Sequence, residues 1–369
     1  MTSVLVAVGA VTAIGAVLAA LLEMAGKLFA DYGDVTVDVN AGSRTLTVEG
    51  GGHLLGTLRE QGIFIPSACG GRGSCGACKL KVTEGGGPVL PTETPYLSAT
   101  ERADGVRISC QVKVRSDVAI WIPEEIFAIR SWKATLAAIR ILRPGMVELR
   151  WELPAGERIR FKAGQYAQLK TARYGKVKEE VFRSYSISSS PRDERAVEFI
   201  IERVEGGICS TWVCDHLQVG DTAEISGPYG DFVLSDTDRE MIMIAAASGM
   251  SPIKSILHAL EEQGSTRKAT FFFSARNMGE LFHLDLMKRF EETLPGFAFV
   301  PTLTRPPEPD ASWPGKTGRV PALIAEMIGD RVKDAEAYLC GGAGLIDGCT
   351  AALWAMGMPN ERIFYDKFE

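Results

Sequence analysis

The sequence of 369 residues predicts a multidomain chain: an N-terminal transmembrane helix, a small α+β domain, an antiparallel β-barrel and an α/β doubly wound domain. Three observations predict this organisation. The first 22 residues carry no charged side chain. Short strands separated by turns follow one another from Ser131 to Leu234, and strands alternate with helices from Glu240 onward. A chain with 46% hydrophobic residues can form several domains, each with its own core.

Residues 1–26 are predicted to be a membrane anchor. At a rise of about 1.5 Å per residue, the charge-free stretch spans the hydrocarbon core of about 30 Å. A signal peptide would need a basic residue near its start, and the first one here is Lys27. A buried helix is the other alternative, because Gly9, Gly15 and many alanines make the segment only moderately hydrophobic. We expect a single-pass protein of the cell inner membrane whose remaining domains are cytoplasmic.

Residues 33–123 are predicted to form a small domain with alternating apolar and polar strands around one helix. The predicted strands are Asp34–Asn40, Arg44–Glu49, Lys79–Thr83 and a closing strand, Cys110–Val114, and the helix is His53–Gln61. This order is typical of a β-grasp fold.

Four cysteines carry the chemistry of this domain. Cys69, Cys75 and Cys78 lie within ten residues in a loop with glycine at positions 70, 71, 73 and 76, and Cys110 follows downstream. Four such thiolates are the ligand set of a [2Fe–2S] cluster, and the glycines bring backbone N–H groups close to it. Zinc is the alternative, but four-cysteine zinc sites usually come as two C-x2-C pairs. The spacing therefore favours the cluster.

Residues 131–234 contain the predicted barrel strands and two possible anion-binding features. Arg183-Ser-Tyr-Ser186 lies on a strand, which puts Arg183 and Tyr185 on one face. Gly207, Ser210 and Thr211 begin a helix, where free N–H groups and the helix dipole favour a phosphate. An ordinary helix N-cap is the alternative interpretation of that turn.

Residues 238–369 carry strand–loop–helix motifs at the ends of the predicted parallel strands. The first loop, Ala245 to Pro252, contains Ser248 and Gly249, and a later strand ends in Cys340-Gly341. A strand–loop–helix without ligand and a simple buried cysteine are the alternatives.

These motifs together resemble the ferredoxin–NADP reductase superfamily, in the form that carries an N-terminal [2Fe–2S] ferredoxin domain. Arg183–Ser186 is similar to its R-x-Y-S motif, Gly227–Phe232 to G-P-x-G-x-F, Ala245–Pro252 to G-G-T-G-x-x-P and Cys340–Ala343 to C-G-P-x. The C-x5-C-x2-C spacing and the domain order resemble the F subunit of the sodium-pumping NADH:quinone reductases. Three departures are alanines at 245–247, Gly342 in place of proline, and a short segment between Leu169 and Arg183.

The resemblance implies a role for each motif. Residues 131–234 would bind FAD and residues 238–369 NADH, and Ser186, Cys340 and Phe368 would lie at the site of hydride transfer. The implied cluster ligands are Cys69, Cys75, Cys78 and Cys110; the implied FAD and NADH contacts are Arg183, Tyr185, Ser186, Gly207, Ser210, Thr211, Ser248, Gly249, Pro252, Arg276 and Gly341. Glu280 favours the free ribose hydroxyl of NADH over the phosphate of NADPH.

The resemblance also implies a function. Electrons would pass from NADH to FAD, then to the [2Fe–2S] cluster, then to a partner in a multi-subunit membrane redox complex, with quinone as the ultimate acceptor. One alternative is a membrane-tethered reductase that feeds an oxygenase or another membrane redox complex. Another is a non-catalytic assembly protein with degenerate loops, which only the alanines at 245–247 support. The net charge of −6 gives no reason to expect nucleic acid as a partner.

Overall fold

The structure, a computed structural model, describes residues 9–21, 32–305 and 312–368. The chain divides into two compact units, Met1–Ala128 and Ile129–Glu369. Residues 9–21 belong to helix α1, and the rest of the predicted anchor, residues 1–8 and 22–26, lies outside the described residues. Within the described part of the chain, no helix is both long enough and apolar enough to cross a membrane.

The first unit contains a five-stranded sheet in the order β2-β1-β5-β3-β4. Its buried valines alternate along β1, so the sheet turns one face toward a core of valine, leucine and isoleucine side chains. The elements are β1 (Asp34–Val39), β2 (Arg44–Glu49), α2 (Leu54–Glu60), β3 (Lys79–Glu84), α3 (Ala99–Ala103), β4 (Val106–Ile108) and β5 (Val118–Trp121).

The predicted closing strand Cys110–Val114 is wrong. These residues form a turn and an extended segment whose one ladder contact is an isolated bridge between His53 and Lys113. Their alternation reflects burial of Val112 and Val114, whose backbones bond to the segment before α2 rather than to the sheet. The last strand of this domain along the chain is instead β5, which lies in the middle of the sheet and runs parallel to β1. Cys110 is therefore in a turn.

The second unit begins with the antiparallel barrel that the strand spacing predicts. Six strands lie in the order β10-β7-β6-β11-β8-β9, and a bridge between Ile187 and Phe199 joins the two ends. Trp151, Leu149 and Ile225 are fully buried inside it. The elements are β6 (Arg130–Arg143), β7 (Met146–Glu152), β8 (Tyr166–Lys170), β9 (Phe182–Ser186), β10 (Ala196–Glu202), α4 (Ile208–Asp215) and β11 (Thr222–Tyr229).

A doubly wound sheet completes the second unit, as the sequence predicts. Its strands are all parallel, in the order β15-β14-β13-β12-β16-β17, and separate cores cover its two faces. The chain order reverses between β12 and β16, and such a switch point is where ligands bind in these sheets. The elements are β12 (Met241–Ala246), α5 (Met250–Glu262), β13 (Ala269–Ala275), α6 (Leu284–Thr293), β14 (Phe297–Leu303), β15 (Lys316–Thr317), α7 (Val320–Met327), β16 (Glu336–Gly342), α8 (Ala343–Ala355) and β17 (Ile363–Phe368).

Candidate functional site

The four cysteines of the first unit come together in two pairs. Cys69 shares a hydrogen bond with Cys75, and Cys78 shares one with Cys110. Among the residues that the structure describes, no three Cys, His, Asp or Glu side chains converge as they would on a single ion. The shared bonds lower the pKa of the Cys69 and Cys110 thiols and raise the pKa of their partners. Two pairs of thiols suit a two-iron cluster.

Backbone N–H groups point at these sulfurs. The N–H groups of Cys69 and Ala77 donate to Cys75 Sγ over 3.4 and 3.5 Å. The loop takes this shape because its four glycines have positive φ angles of 68, 91, 76 and 66°. At Gly76 a side chain would also collide with Tyr96. Hydrogen-bond donors around a set of thiolates fit an anionic iron–sulfur cluster.

Strand β9 carries the predicted R-x-Y-S motif in register with β8. Tyr185 packs against Phe199, with ring centroids 6.0 Å apart, and its hydroxyl contacts Cys209 in the first turn of α4. Burial raises the pKa of Tyr185 well above its usual range and that of Cys209 to about 11. The positive charge of Arg183 lowers the pKa of both groups and so offsets part of the effect of burial. Strand β9 and the first turn of α4 therefore meet at the contact between Tyr185 and Cys209.

The Ser210 hydroxyl, in the first turn of α4, bonds back to the turn that precedes the helix. Ser210 Oγ accepts the Val204 N–H at 3.1 Å and is buried. The sequence singles out this hydroxyl as a phosphate contact, whereas in the structure it stabilises the turn that presents the helix N-terminus. Thr211 is half-buried one residue further on.

The short segment between β8 and β9 also reaches α4, which the sequence does not indicate. Tyr174 and Val177 form an isolated bridge, and the Tyr174 hydroxyl donates to the Ile208 carbonyl at 2.7 Å. The Tyr174 ring packs on His216, with centroids 4.6 Å apart. This segment is therefore an ordered hairpin against the helix.

Ser186 has a partner that sequence reasoning missed. Its hydroxyl donates to Asp366 Oδ2 at 3.0 Å, across 180 residues of chain. Asp366 lies on β17, opposite Cys340 on β16. Burial raises the pKa of Asp366, although the Ser186 hydrogen bond partly offsets this, and burial raises the pKa of Cys340 well above its usual value. Cys340 is thus a neutral thiol.

A cavity of about 330 Å³ opens beside this pair. Residues from the barrel and from β17 line it: Gly164, Tyr166, Gly230, Asp231, Phe232, Phe364, Tyr365 and Asp366. Its aromatic walls, together with the half-buried carboxyl group of Asp366, fit a flat heteroaromatic ring.

The nucleotide loop follows β12 at the switch point. Ala247 has a φ of 49°, in the left-handed region, and Gly249 lies where a side chain would collide with the Cys340 carbonyl oxygen. Gly341 has a φ of 144° and lies close to Ala246. Pro252 is buried in the first turn of α5, and Ser248 is half-buried beside it. The loops after β12 and β16 therefore form one surface.

The last two predicted residues lie on either side of this surface. Arg276 follows β13, is 65% exposed and pairs with Glu280 at 2.6 Å. The Glu280 carboxylate also accepts the Arg276 N–H at 2.9 Å, so it is fixed at the end of the strand. Phe368 is half-buried on β17, opposite Gly342.

Three family models match the chain in order. They are the 2Fe-2S iron-sulfur cluster binding domain over residues 37–115, the oxidoreductase FAD-binding domain over 133–234 and the oxidoreductase NAD-binding domain over 243–351. The F subunit of the Na(+)-translocating NADH-quinone reductase of Actinobacillus succinogenes is 33% identical over 98% of both chains. Its counterpart in Neisseria meningitidis is 34% identical over 97% of both chains. The chain belongs to the family of these F subunits.

The alignment with the Actinobacillus relative extends over 401 positions, more than the 369 residues of this family member. The relative therefore has residues that this chain lacks. The family resemblance predicts that one such shortening lies between Leu169 and Arg183, where the structure has the Tyr174 hairpin.

Solved structures support the fold of this family member. The crystal structure of the Amycolatopsis cytochrome P450 reductase GcoB has a TM-score of 0.72 at 26% identity and covers 90% of this chain and 98% of its own. The ferredoxin reductase in carbazole 1,9a-dioxygenase has a TM-score of 0.70 at 22% identity and covers 91% and 99%.

Proposed function

We propose that this chain is the electron-input subunit of a sodium-translocating NADH:quinone reductase. It takes electrons from NADH through FAD and a [2Fe–2S] cluster to a membrane partner, with quinone as the ultimate acceptor. The proposal rests on the similarity to an F subunit of this reductase, which extends over 98% of the chain. The matches to the cluster, FAD and NAD domain models follow one another along the chain in the order of the proposed electron path reversed. The domains would span residues 33–123, 131–234 and 238–369.

In this proposal the protein holds the FAD pyrophosphate between Arg183 and the first turn of α4. Backbone N–H groups from Gly207 onward face the anion, and Thr211 adds a hydroxyl. Tyr185, fixed by Phe199, supplies a flat surface for the flavin ring. FAD, when bound, accepts two electrons as hydride and releases them singly to the cluster, which carries one.

The hydride site would be the cavity beside Ser186. Asp366 holds the Ser186 hydroxyl at 3.0 Å, so that its oxygen can accept a hydrogen bond from the flavin ring. Cys340, neutral and fully buried, sets the position of the nicotinamide without acting as a nucleophile. Phe368 would cover the flavin and give way to the nicotinamide.

The NADH pyrophosphate would lie on the loop of Ser248, Gly249 and Pro252, facing Gly341. Glu280 presents a fixed carboxylate at the end of β13, beside Arg276. A carboxylate there accepts the ribose hydroxyl of NADH and repels the phosphate of NADPH, so we infer a preference for NADH.

The four cysteines of the first unit would ligate the cluster. Cys69 and Cys75 would bind one iron, and Cys78 and Cys110 the other, because those are the sulfurs that share hydrogen bonds. The cluster supplies one-electron transfer, and the loop supplies the N–H donors around it.

Residues 1–26 would anchor the protein in the inner membrane as a single helix, with the redox domains in the cytoplasm, where NADH is found. The described part of α1 supports this proposal. Its apolar side chains form an exposed hydrophobic surface, which is unfavourable in water. The side chains that are each more than half exposed are Val11, Ile14, Val17, Leu18 and Leu21. A lipid environment or other membrane helices would cover them.

An anaerobic absorption spectrum before and after one equivalent of NADH tests the redox part. We expect flavin bleaching together with loss of the iron–sulfur band. Flavin without the iron–sulfur band would contradict the cluster assignment. A spectrum that changes with NADPH but not with NADH would contradict the nucleotide assignment.

A second candidate, a membrane-tethered reductase that feeds an oxygenase, is favoured by two observations. The chain is shorter than the F subunits to which it is similar, and its fold matches reductases named for a cytochrome P450 and a dioxygenase. Purification in mild detergent separates the two functions. Several multi-span membrane proteins should accompany a component of the pump, whereas a single oxygenase would favour the second candidate.

A further inference from the structure

The residue after the fourth cysteine contacts the cluster site through its side chain. Gln111 Nε2 lies 3.6 Å from Cys110 Sγ, within hydrogen-bond distance of a sulfur acceptor. The same nitrogen lies 3.4 Å from the Cys110 carbonyl oxygen. The backbone N–H of Gln111 donates to the Ile108 carbonyl at 2.7 Å, which fixes the turn. The amide is therefore a donor aimed at a predicted cluster ligand.

A second residue sets the orientation of this amide. The Thr92 hydroxyl donates to Gln111 Oε1 at 3.0 Å. With its oxygen engaged by Thr92, the amide turns its nitrogen toward Cys110. Thr92 comes from the loop between β3 and α3, so this contact joins two segments that are far apart in sequence.

The cluster loop leaves space for the amide. A side chain at Gly73 would collide with Nε2 and Cδ of Gln111, and Gly73 has a φ of 76°. Both its conformation and its missing side chain are therefore needed for the Gln111 side chain to lie between the loop and Cys110. The arrangement has three parts: a donor, a residue that orients it and a space that admits it.

We propose that Gln111, oriented by Thr92, raises the reduction potential of the cluster by hydrogen-bonding the Cys110 sulfur. A reduced cluster carries one more negative charge, so an N–H···S bond stabilises it more than the oxidised form. Gln111 is a positioning residue for electron transfer, not a catalytic one. The inference rests on the proposed function, since it needs the four cysteines to hold the cluster.

The test is a redox titration of the full-length holoprotein followed by electron paramagnetic resonance. Gln111→Leu removes the donor at similar volume. We expect a midpoint potential lower by about 59 mV, equivalent to a tenfold change in the ratio of reduced to oxidised cluster for one electron. Thr92→Val keeps the glutamine and removes only its orientation, so it should shift the potential in the same direction by less.

Thr83→Val is the matched control, because its hydroxyl bonds the Ala119 carbonyl and no residue of the cluster loop. It should keep the potential of the unmodified protein. If Gln111→Leu does not assemble a cluster, Thr92→Val decides by the same measurement. A spectrum of the reduced cluster with an unchanged potential in Thr92→Val and Gln111→Leu would overturn this inference alone. Absence of the spectrum from the unmodified protein would instead overturn the proposed function.

Discussion

The substitution Lys254→Met removes the central cation of a buried charge cluster that joins the barrel to the nucleotide-binding half of the second unit. Lys254, on α5, lies 2.6 Å from Glu148 on β7 and 2.8 Å from Glu198 on β10. His283 Nε2 lies 3.1 Å from the same Glu148 oxygen, Oε1, that Lys254 contacts. Lys254, Glu148 and His283 are all buried. Helix α5 begins at the nucleotide loop, so this cluster holds that loop against the barrel.

The expected loss in free energy of unfolding depends on which partners the two glutamates keep. Removing one member of a buried ion pair costs about 3–5 kcal/mol. Glu148 keeps His283, and Glu198 keeps Arg150 at 3.2 Å, which favours the lower end of that range. A loss of about 3 kcal/mol lowers the melting temperature of a unit of this size by about 6–12 °C, at about 2–4 °C per kcal/mol.

Differential scanning calorimetry of the holoprotein, with flavin fluorescence to identify the transition of the second unit, measures this loss. Lys316→Met is the control: its pair with Glu326 is similarly close, at 2.9 Å, but the two side chains are 44% and 58% exposed. Exposed pairs contribute about 0–1 kcal/mol. A Lys254→Met transition no lower than that of Lys316→Met would refute the reasoning.

The same cluster predicts a pH dependence. Burial alone would raise the pKa of Glu148, but the hydrogen bond from His283 and the charge of Lys254 outweigh it and lower the pKa from 4.5 to about 2. A depressed carboxyl pKa stabilises the folded state above the unfolded value, and that contribution is lost as pH falls toward the folded value. The unmodified protein should therefore exceed Glu148→Gln in free energy of unfolding by a constant amount above about pH 4.5. That difference should decrease as the pH falls from there toward 2.

Three further predictions concern the electron path. Asp366→Asn weakens the hydrogen bond that positions the Ser186 hydroxyl, so it should slow flavin reduction by NADH on the order of tenfold to a hundredfold. Stopped-flow absorbance measures this rate. An unchanged rate at equal flavin content would contradict the positioning of Ser186 by Asp366. Gly249→Ala should raise the KM for NADH without loss of FAD, because its methyl group meets the Cys340 carbonyl oxygen. Cys75→Ala should leave flavin reduction intact and stop transfer to external one-electron acceptors that depend on the cluster; loss of flavin reduction itself would contradict the order of cofactors.

The sequence predicts those parts of the molecule that depend on local patterns. The barrel strands, the parallel sheet and the cysteine loop each have a periodicity or spacing of their own. The closing strand at Cys110–Val114 was wrong because alternating burial does not specify which backbone a segment pairs with. Asp366 was missed because nothing near it distinguishes it from other acidic residues, and its contact with Ser186 depends on the register of β16 and β17. Gln111 was missed for the same kind of reason, since its orientation comes from the distant Thr92.

The structure also explains why alanines in the nucleotide loop are compatible with an active enzyme. Ala245 and Ala246 belong to β12, where they pair with Cys340 and Ser274, so neither occupies a position that requires glycine. Ala247 alone takes a left-handed φ of 49°, at a cost of roughly 1–2 kcal/mol. Gly249, where any side chain would meet the Cys340 carbonyl oxygen, is retained. The loop therefore keeps its shape where the close contact demands it, which argues against a degenerate, non-catalytic protein.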